Sequence, residues 1–358
     1  MQHETSETTT AVSTQNRQRW GLLLLLLALL GVFLLSLFVG SVRIPLDEIV
    51  RVLLGGAAER ETWSTIVLKV RLPKAVTAVL AGSALSVSGL QMQTMFRNPL
   101  AGPFVLGINS GASLGVALVV LAVGTGSTLL AGLGLLSDFG IVVATSLGAG
   151  LVLFLVLAVA RRVETMTLLI LGLMFGYATS ALVSVLLYFS IAERIQAYIA
   201  WTFGSFGGVT WRQMQVMAPA VLLGLAIAWL SAKPLNALLL GETYAQSLGL
   251  SVRRARLGVL VSASLMAGAI TAFCGPIGFV GVAVPHLCRS LFGTSNHRLL
   301  VPATILLGGI VALVADLLAQ LPGSQITLPL NAVTALIGAP VVTWVILRQR
   351  NLRSSFAG

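Results

Sequence analysis

The stretch that decides the fold is RLPKAVTAVLAGSALSVSGLQMQTMFRNPLAGPFVLGINSGASLG, from Arg71 to Gly115. It joins two long apolar segments through a junction rich in Pro, Gly and Asn. Peptide groups in a non-helical junction at membrane depth lack hydrogen-bond partners unless protein or trapped water supplies them. We therefore expect this junction to line a cavity or to form a contact within a membrane protein.

The composition of the whole chain agrees with that interpretation. Of its 358 residues, 57% are hydrophobic and 9% are charged, and the mean hydropathy is +0.97. These values are typical of a polytopic membrane protein. The net charge of +11 comes from Lys and Arg scattered between apolar runs. This scatter predicts loops that set the topology at a lipid surface, and it argues against nucleic-acid binding.

The apolar runs predict an all-α polytopic membrane protein with about ten transmembrane helices. We expect a disordered cytoplasmic tail over residues 1–16, a single ten-span domain over 17–350 and a cytoplasmic tail over 351–358. The first apolar run lacks a cleavage pattern and is interpreted as a retained span. Lys and Arg are more numerous in the loops on the same side of the membrane as the two termini than in the loops on the other side. Because cytoplasmic loops carry the excess of Lys and Arg, both termini are predicted to be cytoplasmic. The spans are predicted near residues 20–40, 75–96, 104–124, 139–160, 166–190, 213–232, 254–273, 277–291, 299–319 and 331–348.

The two halves of the chain contain a weak internal repeat, whose two segments are called the echo segments below. GPFVLG (Gly102–Gly107) follows the second predicted span, and GPIGFVG (Gly275–Gly281) follows the seventh. Five intervening spans would place the two segments at opposite membrane faces, as inverted-repeat halves with broken helices require. Chance similarity remains the alternative at this point, because few residues match.

Two polar stretches could contact other proteins. Arg71 and Lys74 lie at a helix start on the predicted outer face, where they could snorkel at the interface or dock an acidic soluble partner. The longest cytoplasmic loop, residues 232–256, predicts two short helices, the first broken by Gly241 and the second ended by Gly249. Its apolar and acidic residues favour a surface for a protein partner over a helix lying on lipid headgroups.

Candidate chemistry within the chain is sparse. Asp316 is the acid that falls within a predicted span, so a functional role and a packing or capping role are both open. His286 is interpreted as a structural hydrogen-bonding residue, and Cys274 and Cys288 as core thiols. The GASLG match around Ser113 lies in a predicted span and is interpreted as helix packing. The sequence contains no phosphate-binding G-x-x-x-x-G-K-[ST] motif, so any energy source must be another chain or a gradient.

Several long motifs resemble one family, the permease subunits of type II ATP-binding-cassette importers for iron-siderophore, haem and vitamin B12, known as the FecCD family. The likeness extends over nearly the whole chain after the amino-terminal tail. The motifs that carry it are RLPK (Arg71–Lys74), RNPLAGPFVLGINSGA (Arg97–Ala112), FGGVTWRQ (Phe206–Gln213), LGETYAQSLGL (Leu240–Leu250), GPIGFVGVAVPHLCR (Gly275–Arg289), NHRLLVPA (Asn296–Ala303) and TALIGAPVVTWVI (Thr334–Ile346).

The resemblance implies a homodimer in a bacterial inner membrane, two cytoplasmic ATP-binding subunits that hold ATP and Mg, and a periplasmic or lipoprotein substrate-binding protein. It implies no cofactor on this chain. Arg71 and Lys74 match the family's docking cations, and Gln320 stands where a further cation is expected. The resemblance places the cytoplasmic gate at Asn98, Leu100, Thr165 and Met166. It places the coupling contact with the ATPase at Leu238, Leu239, Leu240, Gly241, Glu242, Ala245, Leu248 and Gly249.

The expected function is therefore that of the permease subunit of an ATP-driven importer for a ferric siderophore, haem or cobalamin-type chelate. The alternative is a secondary transporter driven by an ion gradient, which predicts carboxylates within the membrane and uptake without nucleotide. A membrane-embedded enzyme is a weaker third interpretation, because the sequence offers no pairing of nucleophile and base.

Overall fold

The computed structural model describes residues 2–40, 42–122, 138–160, 162–320 and 327–355, and these ranges contain helices and no β-strand. The helices are α1 (Gln2–Phe38), α2 (Leu46–Leu53), α3 (Glu61–Ile66), α4 (Leu72–Met95), α5 (Ile108–Ala117), α6 (Asp138–Ala160), α7 (Thr165–Tyr188), α8 (Ala192–Thr202), α9 (Trp211–Leu230), α10 (Ala232–Leu239), α11 (Glu242–Ser247), α12 (Val252–Cys274), α13 (Val280–Phe292), α14 (His297–Ala319) and α15 (Leu330–Ser355).

The predicted spans are confirmed as helices. In the described ranges, 7 helices are long and apolar enough to cross a membrane, and three shorter apolar helices stand where the remaining spans were predicted. The long segments are Asn16–Phe38, Glu61–Met95, Val142–Ala160, Met166–Tyr188, Trp211–Leu230, Val252–Cys274 and His297–Ala319, and the shorter ones are Ile108–Leu121, Val280–Phe292 and Leu330–Trp344.

Helix α4 lies at the centre of the molecule. Its most apolar window is 83% buried, whereas the corresponding windows of α1, α6 and α7 are about one-fifth buried. Glycines allow its neighbours to approach closely, since a Cβ at Gly82 would collide with the backbone of Gly308, and a Cβ at Gly89 with that of Gly281. Small residues at helix contacts are how membrane helices gain packing without a hydrophobic driving force between them. A movement of α4 would therefore affect most of the bundle.

Both echo segments break the helical path in the same manner. After α4, Gly102 leads into a short 3₁₀ turn, and Gly107 adopts φ of 74° before α5 begins. After α12, Gly275 has φ of 75° and Phe279 has φ of 65° before α13 begins. Positive φ favours glycine, as at Gly107 and Gly275, and it is uncommon for a bulky residue such as Phe279. Each half of the chain thus places a short apolar helix after a glycine-proline break, as expected for inverted halves with broken helices.

The first helix extends back into the amino-terminal segment, for which disorder stays a prediction. Helix α1 begins at Gln2 and continues without a break to Phe38. The sequence between residues 2 and 20 contains neither Gly nor Pro, so nothing in the backbone interrupts a helix that the apolar segment nucleates. The residues 232–256, by contrast, fold into the two short helices predicted there, α10 and α11.

Candidate docking, coupling and gate sites

Arg71 lies at the amino-terminal end of α4, at the close of a π-helical turn that spans Val67–Arg71. Its guanidinium donates hydrogen bonds to the carbonyl oxygens of Leu37 and Phe38, at 2.7 and 3.0 Å, and to that of Val42. These carbonyls end α1 and begin the following loop, where a helix leaves its last acceptors without partners. With 8% of its surface exposed, Arg71 ties α1 to α4.

Lys74 lies one turn further along α4 and has an acidic partner from another helix. Its ammonium is 3.0 Å from the Asp316 carboxylate on α14. Gln320 donates a second hydrogen bond to that carboxylate, at 2.8 Å. Asp316 therefore has the packing role that the sequence left open, and it is held by two donors in a buried setting. A buried carboxylate is tolerated when it is paired and hydrogen-bonded in this way.

The docking expectation for these two cations changes accordingly. Arg71 is enclosed, and the hydrogen bonds described for its guanidinium go to backbone carbonyls, so it cannot present its charge to a partner without leaving α1. Lys74 retains 21% exposure of its side chain, so part of this side chain can be reached from outside the bundle. The sequence showed no acid near these residues within the helix turn, because the acid comes from a distant part of the chain.

The carboxyl-terminal end of α4 is built differently. Arg97, just beyond the helix, adopts φ of 48°, a left-handed conformation that is uncommon for its residue type. It donates long hydrogen bonds to the carbonyls of Leu238 and Leu239, at 3.5 and 3.3 Å. Those carbonyls belong to the last turn of α10, where a cation also interacts favourably with the helix dipole. Arg97 thus links α4 to the first short helix of the 232–256 loop.

The predicted coupling residues divide between a small core and an exposed rim. Leu238 and Ala245 pack with Val252 in a separate apolar cluster that holds α10, α11 and α12 together. Gly241 and Gly249 adopt φ of 116° and 79°, which favour glycine. The remaining predicted residues are exposed or partly exposed: Leu239, Leu240, Glu242 and Leu248. This rim is the part of the loop that another protein could reach.

Arg256 connects the second short helix to the predicted gate. Its guanidinium pairs with Glu242 on α11 at 2.9 Å and donates to the carbonyl of Val163 at 3.1 Å. Val163 lies in the turn before α7, which begins with Thr165 and Met166. A cavity of about 350 Å³ lies here, and its lining includes Arg97, Met166, Leu238, Glu242 and Arg256.

The predicted gate residues are brought only partly together. Met166 is 67% exposed and lines that cavity. Leu100 is 49% exposed, and its backbone N–H donates to the Asn98 side chain at 2.9 Å, which fixes the turn after α4. The Thr165 side chain lies outside the described part of the chain. The gate prediction therefore stays a prediction for these four residues.

Comparison with known proteins identifies the family. The model of the FecCD transport family matches residues 25–348. The chain belongs to this family. Two vitamin B12 import system permease proteins, both named BtuC, are similar to the chain. The Klebsiella pneumoniae protein is 38% identical, with 94% of this chain and 96% of the relative covered. The Salmonella paratyphi A protein is 37% identical, with 92% and 95% covered.

A solved structure supports the fold of this FecCD chain. It is described as an inward-facing conformation of a metal-chelate type ABC transporter, and it superposes with a TM-score of 0.78 at 30% sequence identity. The match covers 91% of this chain and 98% of the other. The prediction of the family and of an all-α polytopic fold is thereby confirmed.

Sequence reasoning missed Arg97 and Arg256 as linking residues in this FecCD chain, since both were counted only as topology-setting charge. His286 was interpreted correctly, because its Nε2 donates to the Pro99 carbonyl at 2.7 Å and so braces the turn after α4. Cys274 and Cys288 are free, buried thiols, as expected. In the described residues, no cluster of three His, Cys, Asp or Glu side chains could hold a metal.

A second, polar cavity was not anticipated from the FecCD motifs. It has a volume of about 180 Å³ and lies between α5, α7 and α8, where its lining includes Asn109, Ser110, Thr179 and Tyr198. Burial raises the pKa of the Tyr198 phenol, and a hydrogen bond with Ser113 opposes that rise. The phenol is therefore neutral at physiological pH and serves as a hydrogen-bonding group within the bundle.

Proposed function

We propose that this FecCD chain is the permease subunit of an ATP-driven importer that moves a ferric siderophore, haem or cobalamin-type chelate into the cytoplasm. Family membership and the vitamin B12 permeases similar to it support this proposal. In the proposed assembly two copies of the chain form a homodimer in the bacterial inner membrane, with both termini in the cytoplasm. Two ATP-binding subunits, which carry ATP and Mg, and a periplasmic or lipoprotein substrate-binding protein complete it.

The observation that carries the proposal is the tie between the short helices and the transmembrane bundle. Arg97 joins α10 to the end of α4, and Arg256 joins α11 to the turn before α7. In this proposal, closure of the ATPase dimer pushes on α10 and α11, and the two arginines pass the push to α4 and to the gate. ATP can shift the balance between the two gate positions only if it favours one of them energetically.

The charges at the opposite end of α4 support docking of a binding protein, with a direct role for Lys74 and an indirect role for Arg71. Lys74 has a partly exposed side chain, and in this proposal its ammonium is shared between Asp316 and an acidic residue of the partner. Arg71 contributes indirectly, because it holds the end of α1 and the start of the next loop in place. Such contacts steer the encounter between partners and set their register more than they set affinity.

The test is uptake into vesicles that contain the purified permease. We expect accumulation of a ferric or cobalt chelate only when the cognate ATPase, ATP and the binding protein are all present. The matched control replaces the ATPase with a variant that binds ATP but cannot hydrolyse it, and it should abolish accumulation. Accumulation driven by a proton or sodium gradient without the ATPase would overturn the proposal in favour of a secondary transporter.

A further inference from the structure

His297, the first residue of α14, is almost completely buried, with 1% of its surface exposed. Its ring contacts two other helices. Nδ1 lies 2.8 Å from Oδ1 of Asn236 on α10, and Nε2 lies 2.8 Å from the Thr94 hydroxyl near the end of α4. One imidazole therefore joins a short cytoplasmic-loop helix to two membrane-spanning helices.

The hydrogen-bond directions of this group follow from its donors and acceptors. The backbone N–H of His297 can only donate, and it also faces Asn236 at 2.8 Å, so the Asn236 atom there must be the carbonyl oxygen. That oxygen can only accept, so Nδ1 carries the imidazole proton and Nε2 is left as an acceptor. The single proton of the Thr94 hydroxyl is shared between Nε2, at 2.8 Å, and the Leu90 carbonyl within α4, at 2.9 Å. The Asn236 amide then donates to Asn296, the residue that caps α14, at 2.9 Å.

The bonds that His297 makes to Asn236 and Thr94 are shorter than those that Arg97 makes to α10, which measure 3.3 and 3.5 Å. Buried polar groups with satisfied partners fix one geometry, since sliding the helices would leave donors and acceptors unpaired in a low-dielectric interior. Apolar contacts between the same helices carry no such directional penalty. A push on α10 would therefore be passed through this group rather than absorbed by it.

We propose that Thr94, His297 and Asn236 form a clamp that transmits displacement of α10 to α4 and α14 together. They are positioning residues, since they would act through the helices they join and not by touching substrate. This inference rests on the proposed function, because it presumes that a partner ATPase moves α10.

The test compares two pairs of variants and one control variant in vesicles with the cognate ATPase and binding protein. Thr94→Val removes the hydroxyl and keeps the side-chain shape, whereas Thr94→Ser retains a hydroxyl. Asn236→Ala removes the acceptor for His297, whereas Asn236→Asp keeps one. Thr77→Val is the matched control, because Thr77 is a buried α4 threonine whose described hydrogen bond, to Pro73, stays within α4.

The readout is the number of ATP molecules hydrolysed per chelate molecule transported, with thermal unfolding measured in parallel. We expect Thr94→Val and Asn236→Ala to raise that ratio roughly fivefold, the scale of one lost hydrogen bond. Thr94→Ser, Asn236→Asp and Thr77→Val should remain within about twofold of the unmodified protein.

Two outcomes would overturn the clamp. Normal coupling in Thr94→Val and Asn236→Ala would show that the bonds transmit nothing. An equal loss in Thr94→Val and Thr77→Val would show a general weakening of α4. Transport by the unmodified protein without any ATPase would instead refute the proposed function, so the two failures are distinguishable.

Discussion

The two ends of α4 carry similar residues in opposite arrangements. At the amino-terminal end, Arg71 and Lys74 are engaged by carbonyls and by Asp316 within the bundle. Beyond the carboxyl-terminal end, Arg97 is exposed, makes long hydrogen bonds and borders a cavity of about 350 Å³. Tight, buried bonds resist displacement, while few and exposed contacts permit it. The comparison indicates that the cations at the amino-terminal end are anchored within the bundle, whereas Arg97, beyond the buried Thr94–His297 contact, is free to respond to a partner.

The strongest test of this contrast is Arg71→Met. Loss of the guanidinium leaves the carbonyls of Leu37, Phe38 and Val42 without a donor inside the protein, so we expect the free energy of unfolding to fall by about 3 kcal/mol. Thermal unfolding of the purified permease measures this. Lys69→Met, at an exposed position in the preceding turn, is the control and should change stability by less than about 0.5 kcal/mol. Unchanged unfolding together with weak binding-protein docking would make Arg71 a docking cation after all.

The Lys74–Asp316 pair tests whether the anchored end also serves a partner. Lys74→Asp places two carboxylates close together in a mostly buried site and should cost about 2 to 3 kcal/mol. Adding Asp316→Lys reverses the pair and should recover more than half of that loss, as a double-mutant cycle would reveal.

The same double variant separates packing from docking. If the binding protein reads the charge of Lys74, docking should stay weaker in the reversed pair even though stability returns, and the difference should shrink at high salt. Docking equal to that of the unmodified protein at low salt would confine Lys74 to packing.

The contrast between the ends also marks how far the sequence alone could predict this protein. Apolar run length predicted the spans, and Gly241 and Gly249 predicted where α10 and α11 end, because both signals are local in the chain. The partner of Lys74 was not predictable in this way, since Asp316 reaches it only once α14 packs on α4. Arg97 and Arg256 were missed because a cation beside a membrane span is ordinarily a topology signal. The carbonyls that they bond carry no residue identity, and the side-chain partner of Arg256, Glu242, comes 14 residues earlier in the chain.

Gly249, in the loop that Arg97 contacts, tests whether the backbone conformation of that loop matters to the coupling of ATP hydrolysis to transport. Its φ of 79° favours glycine, and a Cβ there would meet nothing within 4 Å, so a substitution acts through the backbone alone. Gly249→Val should cost about 1 to 2 kcal/mol locally and raise ATP consumption per transported molecule. Gly249→Asn is the matched control, because Asn tolerates left-handed backbone, and it should transport nearly normally. Equal transport by both variants would show that the conformation of this turn does not affect the coupling of ATP hydrolysis to transport.

The smallest effect is expected from Glu242→Gln. Its ion pair with Arg256 measures 2.9 Å, but the Glu242 side chain is 45% exposed, and exposed pairs are worth about 0.5 kcal/mol. Arg256 keeps its bond to the Val163 carbonyl, so the link to the turn before α7 survives the change. We expect transport at low salt to fall by less than about threefold and the difference from the unmodified protein to vanish near 1 M salt. A tenfold loss that persists at high salt would mean that Glu242 contacts the ATPase directly. The first residue to respond to the ATPase would then lie on α11, and not at Arg97.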